Sequence, residues 1–418
     1  MIEGRKQVTS SIPTAVVLAA GLGTRMKSRT PKVLHEVCGV PLLSHILEAV
    51  GALQPERLVV VLGPGHERVE PHLPESARVA LQLEPRGTGD AVLKASGEIL
   101  DGPMLVLPGD TPLITAEVLD ALVAHHRASE ASATLLTMIL DDPSGYGRII
   151  RDDAGDVTAI VEHRDADAEQ RRIKEVNAGM YVLPGRRTLE LLRGVGDQND
   201  QGEVYLTDVI AALRAEGLRV SALPVADPTV TLGVNSRVEL AEAQGLMRAR
   251  ILEGWMREGV TIEDPASTFI DARVRLSADV RILPFSSLRG ETAVGRGSEI
   301  GPGSSLTDTL VGEGARVIQS HTERARIGDR ALVGPFSYLS PKAPLEDADE
   351  TGAFVQIENG TAVAPFSRGD GVTIGAGSVI TQDVAEGKPG SSRTRQESIP
   401  GYTARAAEPN GEDGQDGT

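Results

Sequence analysis

Two different spacings of apolar residues divide the chain. Up to about residue 225, short unbroken apolar runs alternate with longer stretches in which apolar positions recur every three or four residues. The runs "AVVLAA", "RLVVVLG", "ARVALQ", "PMLVLPGD" and "ATLLTMIL" predict β-strands, and "PLLSHILEAVGAL", "GDAVLKASGEIL" and "AEVLDALVAHHRAS" predict helices. Such alternation predicts an α/β domain on a mainly parallel sheet, with ligands taken at the carboxyl ends of its strands. From Leu240 to about Glu258 one amphipathic helix is expected, a linker to the second half of the chain.

Beyond that helix the spacing becomes six. Ile270, Leu276, Ile282, Leu288, Val294, Ile300 and Leu306 recur at that interval, with Gly, Asp or Ser often beside them. Six fits neither a helix nor an alternating strand, but it fits a parallel β-helix in which each face of a coil uses one hexapeptide. The register returns at Ile327, Val333 and Leu339, and again at Val363, Ile374 and Ile380. Over "VIQSHTERAR" it is lost, so a surface loop carrying His321 is expected there. The expected organisation is an α/β domain over 12–238, a linker helix over 239–264, a β-helix over 265–390 and a disordered acidic tail over 391–418. The opening "MIEGRK" resembles a protease-site scar and is left out of this division.

Composition narrows the chemistry. A length of 418 residues suits two or three domains of roughly 100–200 residues each. The net charge of −17 opposes binding to polyanions and anionic membranes, so nucleic acid is not an expected partner. No apolar run approaches the roughly 20 residues of a membrane helix, so no membrane insertion is expected either. The single cysteine, Cys38, excludes an intrachain disulfide framework and suits a reducing cytosol; a cytoplasmic location is expected. Phosphate chemistry must therefore rest on local cations.

Such cations come directly after the first strand. In "AVVLAAGLGTRMKSRTPKVLH" the glycines at Gly21 and Gly23 leave backbone N–H groups open to a ligand, forming an anion-binding nest. Arg25 offers a planar fork to phosphate oxygens and Lys32 a compact charge, a combination suited to a triphosphate. The pattern matches neither the lysine-bearing phosphate loop nor the dinucleotide fingerprint. After "PMLVLPGD", the carboxylate of Asp110 at a strand end is a candidate magnesium ligand.

"LAAGLGTRM" followed by "PKVLH", with a hexapeptide β-helix behind it, resembles the bifunctional N-acetylglucosamine-1-phosphate uridyltransferase / glucosamine-1-phosphate acetyltransferase family. The resemblance runs from about Thr14 to Val384. It implies a Rossmann-like, glycosyltransferase-A type nucleotidyltransferase domain and a left-handed β-helix, here shortened. It also implies synthesis of UDP-N-acetylglucosamine for cell-envelope precursors, in the cytoplasm, by a homotrimer joined through the β-helix. On this resemblance Leu18, Ala19, Ala20, Gly21 and Gly23 would bind nucleotide. "LQLEPRGTGDAV" would place Gln82, Gly87 and Thr88 near the uracil, whose donor and acceptor edge an amide and a tight turn can match. "GYGRI", "IVEH", "VNAGMY" and "EVYLTD" would place Tyr146, Gly147, Glu162, Asn177 and Tyr205 at the sugar. "LGVNSR" would supply Asn235 as the second protein ligand to Mg2+. Arg25 and Lys32 would be the catalytic cations.

The implied reaction is in-line attack of a sugar-1-phosphate oxygen on the α-phosphorus of UTP, releasing pyrophosphate. The protein's part in it is positioning and charge neutralisation. The second half departs from the family pattern. Acyl transfer to an amine generally needs a base, and no histidine follows His321. The "GHLTYLGD"-like and "NYDG"-like segments are absent. Ser340 in "YLSPKA" and Glu358–Asn359 stand where the family has cations. The acetyltransferase is therefore expected to be lost or strongly impaired, with acetyl-CoA a ligand only if it survives. Rival readings are a nucleotidyltransferase for another sugar-1-phosphate, a silent nucleotide-sugar sensor, and an acyltransferase with a vestigial nucleotide domain. The presence of Arg25, Lys32, Asp110 and Asn235 speaks against the second, and the missing histidine against the third.

Overall fold

A computed structural model describes residues 12–194, 196 and 202–339, and then only short strands between 349 and 390. The opening "MIEGRK", "YLSPKA" from Ser340 on, Glu358–Asn359 and the acidic tail lie outside the described residues. The chain divides into two compact units, the first comprising Met1–Trp255 with Ile270–Arg273 and the second the remainder.

The first unit is a mixed α/β domain. Its strands are β1 (Thr14–Ala19), the short ribbon β2 (Glu36–Val37) and β3 (Val40–Pro41), β4 (Arg57–Leu62), β5 (Arg78–Leu81), β6 (Pro103–Pro108), β7 (Ala133–Ile139), β8 (Arg148–Arg151), β9 (Val157–Val161), β10 (Glu175–Pro184) and β11 (Val220–Pro224). Its helices are α1 (Leu42–Gly51), α2 (Thr88–Lys94), α3 (Ala116–Ser129), α4 (Gly185–Leu192), α5 (Asp208–Ala215) and α6 (Arg237–Arg257), the last running to the boundary. The main sheet has the order β11-β7-β10-β6-β1-β4-β5, with β8 and β9 attached through β10. Unbroken apolar runs form the central strands because both faces are covered: Val17, Val60 and Leu105 belong to one core, and Val16, Val59 and Met104 to the other. All five strands and all three helices expected in this half are present, α3 over the full predicted segment.

The sheet is less parallel than the pattern implied. Strand β10 runs antiparallel to both β6 and β7, and β8 and β9 form an antiparallel pair beside it. The cause is legible in β10, where "EVNAGMYVLP" alternates half-buried and buried positions up to Gly179 and is then continuously buried from Met180 to Leu183. Its pairing with β7 shifts between Asn177 and Tyr181, so one strand serves both the cleft and the core.

The second unit is a parallel β-helix. Its short strands form three parallel sheets, with eight, seven and five strands among the described residues. The seven expected aliphatic positions from Ile270 to Leu306 are all buried, as are Ile327, Val333 and Leu339. Two residues before each stands a second inward position, filled by Thr268, Ser286, Thr292, Ser298, Ser304 and Ser337 among others. A small hydroxyl fits there because it can satisfy itself at a corner: Ser286 Oγ donates to Leu283 O at 2.8 Å and Thr292 Oγ1 to Arg289 O at 2.7 Å.

Two expectations for this half are corrected. The first β-helix strand is Thr261–Ile262, paired in parallel with Arg281–Ile282, so the coils begin inside the segment assigned to the linker. The register is not lost over "VIQSHTERAR" but contracts from six to five after Val317: the inward positions run Val311, Val317, Thr322, Ile327. His321 is accordingly not in a loop. It lies on the strand His321–Glu323, paired with Ser305–Thr307, its side chain outward and Thr322 inward. The coil absorbs the missing residue because a threonine takes the aliphatic place and shares a hydrogen bond with Thr309 at 2.9 Å.

Candidate active site

A cavity of about 390 Å³ opens where the carboxyl ends of β1, β5 and β6 meet the shifted part of β10. That volume is within the range of small-ligand sites. Leu18, Ala19, Ala20 and Gly21 line it from the end of β1, and Gln82 from the end of β5. Gly87 and Thr88 enter at the start of α2, Pro108 and Asp110 from β6, and Asn177, Gly179 and Tyr181 from β10; Glu162, Glu203 and Thr207 close it. Lys32 enters from the cationic loop.

The loop after β1 is shaped by Gly23. Its φ of 60° is left-handed, and a Cβ there would sit 2.6 Å from Lys32 Cβ. Met26, fully buried, anchors the short 3₁₀ turn Thr24–Met26. Arg25 on that turn is exposed, whereas the Lys32 side chain is 9% exposed. The Lys32 ammonium donates to Asp110 Oδ2 and, at 3.0 Å, to Asn235 Oδ1. Two residues separated by 125 positions in sequence thus present oxygens to one cation.

That convergence tests the fit of a divalent ion. An ammonium already occupies a point where a carboxylate and an amide oxygen meet, a hard oxygen set suited to Mg2+. Among the described residues no group of three or more His, Cys, Asp or Glu side chains forms an all-protein metal cage. The other ligands would be water and phosphate oxygens, the usual Mg2+ arrangement.

At the start of α2, Gly87 has φ 100° and a Cβ there would lie 2.5 Å from Val204 O, so only glycine allows this approach. Gly89 N donates to Val204 O at 2.8 Å and Leu206 N to Thr88 Oγ1 at 3.1 Å. The Thr88 hydroxyl therefore fixes the segment that carries Glu203, Tyr205 and Thr207. Asn177 Nδ2 donates to the Tyr181 hydroxyl at 2.6 Å and Asn177 Oδ1 accepts from Gly179 N at 3.0 Å. Burial raises the Glu162 carboxyl above its ordinary value; a 3.2 Å hydrogen bond from Thr207 opposes this, and Asp165 and Asp208 reinforce it.

Of the residues singled out from sequence, Gly23, Arg25, Tyr146, Gly147, Tyr205 and Asn235 do not line the cavity. Asn235 and Gly23 reach it through Lys32. Gly147 lies against Glu162, its would-be Cβ 3.5 Å from both carboxyl oxygens. Burial, and after it the Glu239, Glu242 and Asp110 carboxylates, raise the Tyr146 hydroxyl above its ordinary pKa. Tyr205 is buried. Sequence reasoning passed over Asp90, Gly179, Tyr181, Glu203 and Thr207, all within or beside the recognised motifs; lying within a few places of a singled-out position was the available signal.

Comparison with known proteins decides the family. The MobA-like NTP transferase domain matches residues 15–172. The chain is 42% identical over 451 aligned positions to the bifunctional protein GlmU of Streptomyces avermitilis, covering 93% of this chain and 94% of that protein. This chain belongs to the GlmU family. It is 46% identical to the GlmU of Thermobifida fusca, over 89% of this chain and 81% of the relative. A solved UDP-glucose pyrophosphorylase complexed with UDP-glucose aligns with 57% of the chain and all of its own, at 19% identity and a TM-score of 0.48. Membership in the GlmU family makes the protein a sugar-1-phosphate nucleotidyltransferase with a parallel β-helix. Among the described residues no helix is long and apolar enough to cross a membrane.

Proposed function

We propose that the chain joins UTP and N-acetylglucosamine-1-phosphate to give UDP-N-acetylglucosamine and pyrophosphate. The sugar-phosphate oxygen attacks the α-phosphorus in line, a new P–O bond forms, and the bond to the β-phosphate bridging oxygen breaks. The observation that carries this reading is the meeting of Asp110 and Asn235 oxygens on Lys32, at a cavity that Lys32, Asp110, Gln82, Glu162 and Asn177 line together. In this reading Leu18 to Gly21 and Gly23 present backbone to the phosphates, and Arg25 and Lys32 stabilise charge on the triphosphate. Gln82, Gly87 and Thr88 hold the base. Tyr146, Gly147, Glu162, Asn177 and Tyr205 serve the sugar, whose hydroxyls need dedicated polar partners. Asp110 and Asn235 would hold Mg2+, which when bound neutralises phosphate charge. Pyrophosphate release from these two substrates, lost in Asp110→Asn and Lys32→Ala chains that still fold, tests the reading.

The acetyl-transferring half is proposed to be absent or strongly impaired. Supporting this, no histidine follows His321, and His321 itself lies outward on a coil strand. The alignment with the Streptomyces relative spans 451 positions, more than the chain's 418 residues, so part of that relative lies opposite gaps in this chain. The β-helix is proposed to join three copies, with the exposed Phe285, Phe336 and Tyr338 as apolar contacts available on its coils. These activities suit the cytoplasm.

A further inference from the structure

Gln82 is 4% exposed, and its amide meets two acceptors. Nε2 lies 3.0 Å from Gly87 O and 2.8 Å from Asp90 Oδ2. A carbonyl only accepts, and so does a carboxylate, so the atom facing both must be the NH2 group. Asp90 is suited to remain an acceptor. It stands in the first turn of α2, where the helix dipole favours an anion, and Lys94 Nζ is 3.6 Å from its other oxygen. Both amide hydrogens are thereby committed to the protein, and Oε1 is the atom left for a ligand in the cavity that Gln82 lines.

We propose that Asp90 is a specificity-determining positioning residue: by fixing the Gln82 amide it offers the nucleobase an acceptor and no donor, and so selects a base with a ring N–H. This rests on the proposed reading of the Gln82 end as the base site. Uracil presents N3–H between two carbonyls and matches a single acceptor. Cytosine presents a bare N3 lone pair there, which would meet Oε1 acceptor to acceptor. Were the amide free to turn, its NH2 would serve cytosine equally well. The discrimination is therefore shared by the Gly87 carbonyl and Asp90, and Asp90, the side-chain member of the pair, has no need to touch the ligand.

The test is the ratio of kcat/KM for UTP over CTP, each with the same sugar-1-phosphate, in the full chain. In Asp90→Asn the new amide can donate as well as accept, the turned Gln82 gains a partner there and is opposed only by Gly87 O, and the ratio is expected to fall by ~10-fold, the scale of one buried polar mismatch. A purely structural loss would lower both rates together and leave the ratio unchanged; that result overturns the proposal. Asp90→Ala, which removes the acceptor without adding a donor, gives the same reading should Asp90→Asn fail to fold. Gln82→Ala separates the two layers. If it leaves the KM for UTP unchanged, the base-site reading itself fails. If it raises that KM while both Asp90 variants keep the parent ratio, only the role of Asp90 fails.

Discussion

Lys32 is held by Asp110 and Asn235, the two oxygens that the proposed reaction needs for a metal. A lysine and a divalent cation cannot both own that point, so Lys32→Met is expected to bind Mn2+ more tightly than the parent in the absence of nucleotide, as followed by electron paramagnetic resonance. Its turnover is nevertheless expected to fall ~10²–10³-fold, as for loss of one electrostatic donor. Unchanged Mn2+ affinity would show that the ammonium does not guard the site. Glu162 carries a second expectation. Burial raises its folded pKa above the ordinary value of 4.5, so the folded state binds its proton more tightly than the unfolded chain does. Stability from this group is present below 4.5 and is lost as pH rises through the raised folded value. Glu162→Gln removes that loss, and thermal melting should show the variant gaining on the parent from about pH 4.5 upward. A constant offset across that range would contradict the assignment.

At the scale of elements, the loop after β1 and the coils of the β-helix each depend on small residues. Gly23→Ala forces a side chain into left-handed backbone against Lys32. It should cost about 1 kcal/mol of stability but lower turnover far more, because the displaced group is the lysine proposed to stabilise charge on the triphosphate. Ile300→Ala, by contrast, opens a fully buried position in the β-helix and should cost about 2–5 kcal/mol in denaturant titrations, with uridylyl transfer unaffected at temperatures where the chain stays folded. The same contrast explains what the sequence could and could not disclose. Strands β1, β4 and β6 are legible because they are buried on both faces and read as unbroken apolar runs. Strand β10 is not, since its first half faces the cleft through Asn177 and its second half the core, so no single period describes it. The coil at His321 escapes the six-residue pattern because the aliphatic place is taken by Thr322, whose hydroxyl finds a partner inside the prism. In the cavity, motifs led to Gln82, Gly87 and Thr88 but not to Asp90 in the same segment, because Asp90 acts through Gln82 and leaves no periodic trace.

For the whole molecule, the first compact unit contains the complete cavity and takes Ile270–Arg273 with it. A chain ending after Arg273 is therefore expected to retain uridylyl transfer while sedimenting as a monomer, against a trimer for the full chain. A truncated chain that remains trimeric would assign assembly elsewhere. The central claim is that this chain performs nucleotidyl transfer without acetyl transfer. It is tested most directly by two assays on the purified full chain with Mg2+: pyrophosphate release from UTP and N-acetylglucosamine-1-phosphate, and thiol release from acetyl-CoA and glucosamine-1-phosphate. The account predicts pyrophosphate and no thiol; thiol release, or the absence of pyrophosphate, would contradict it.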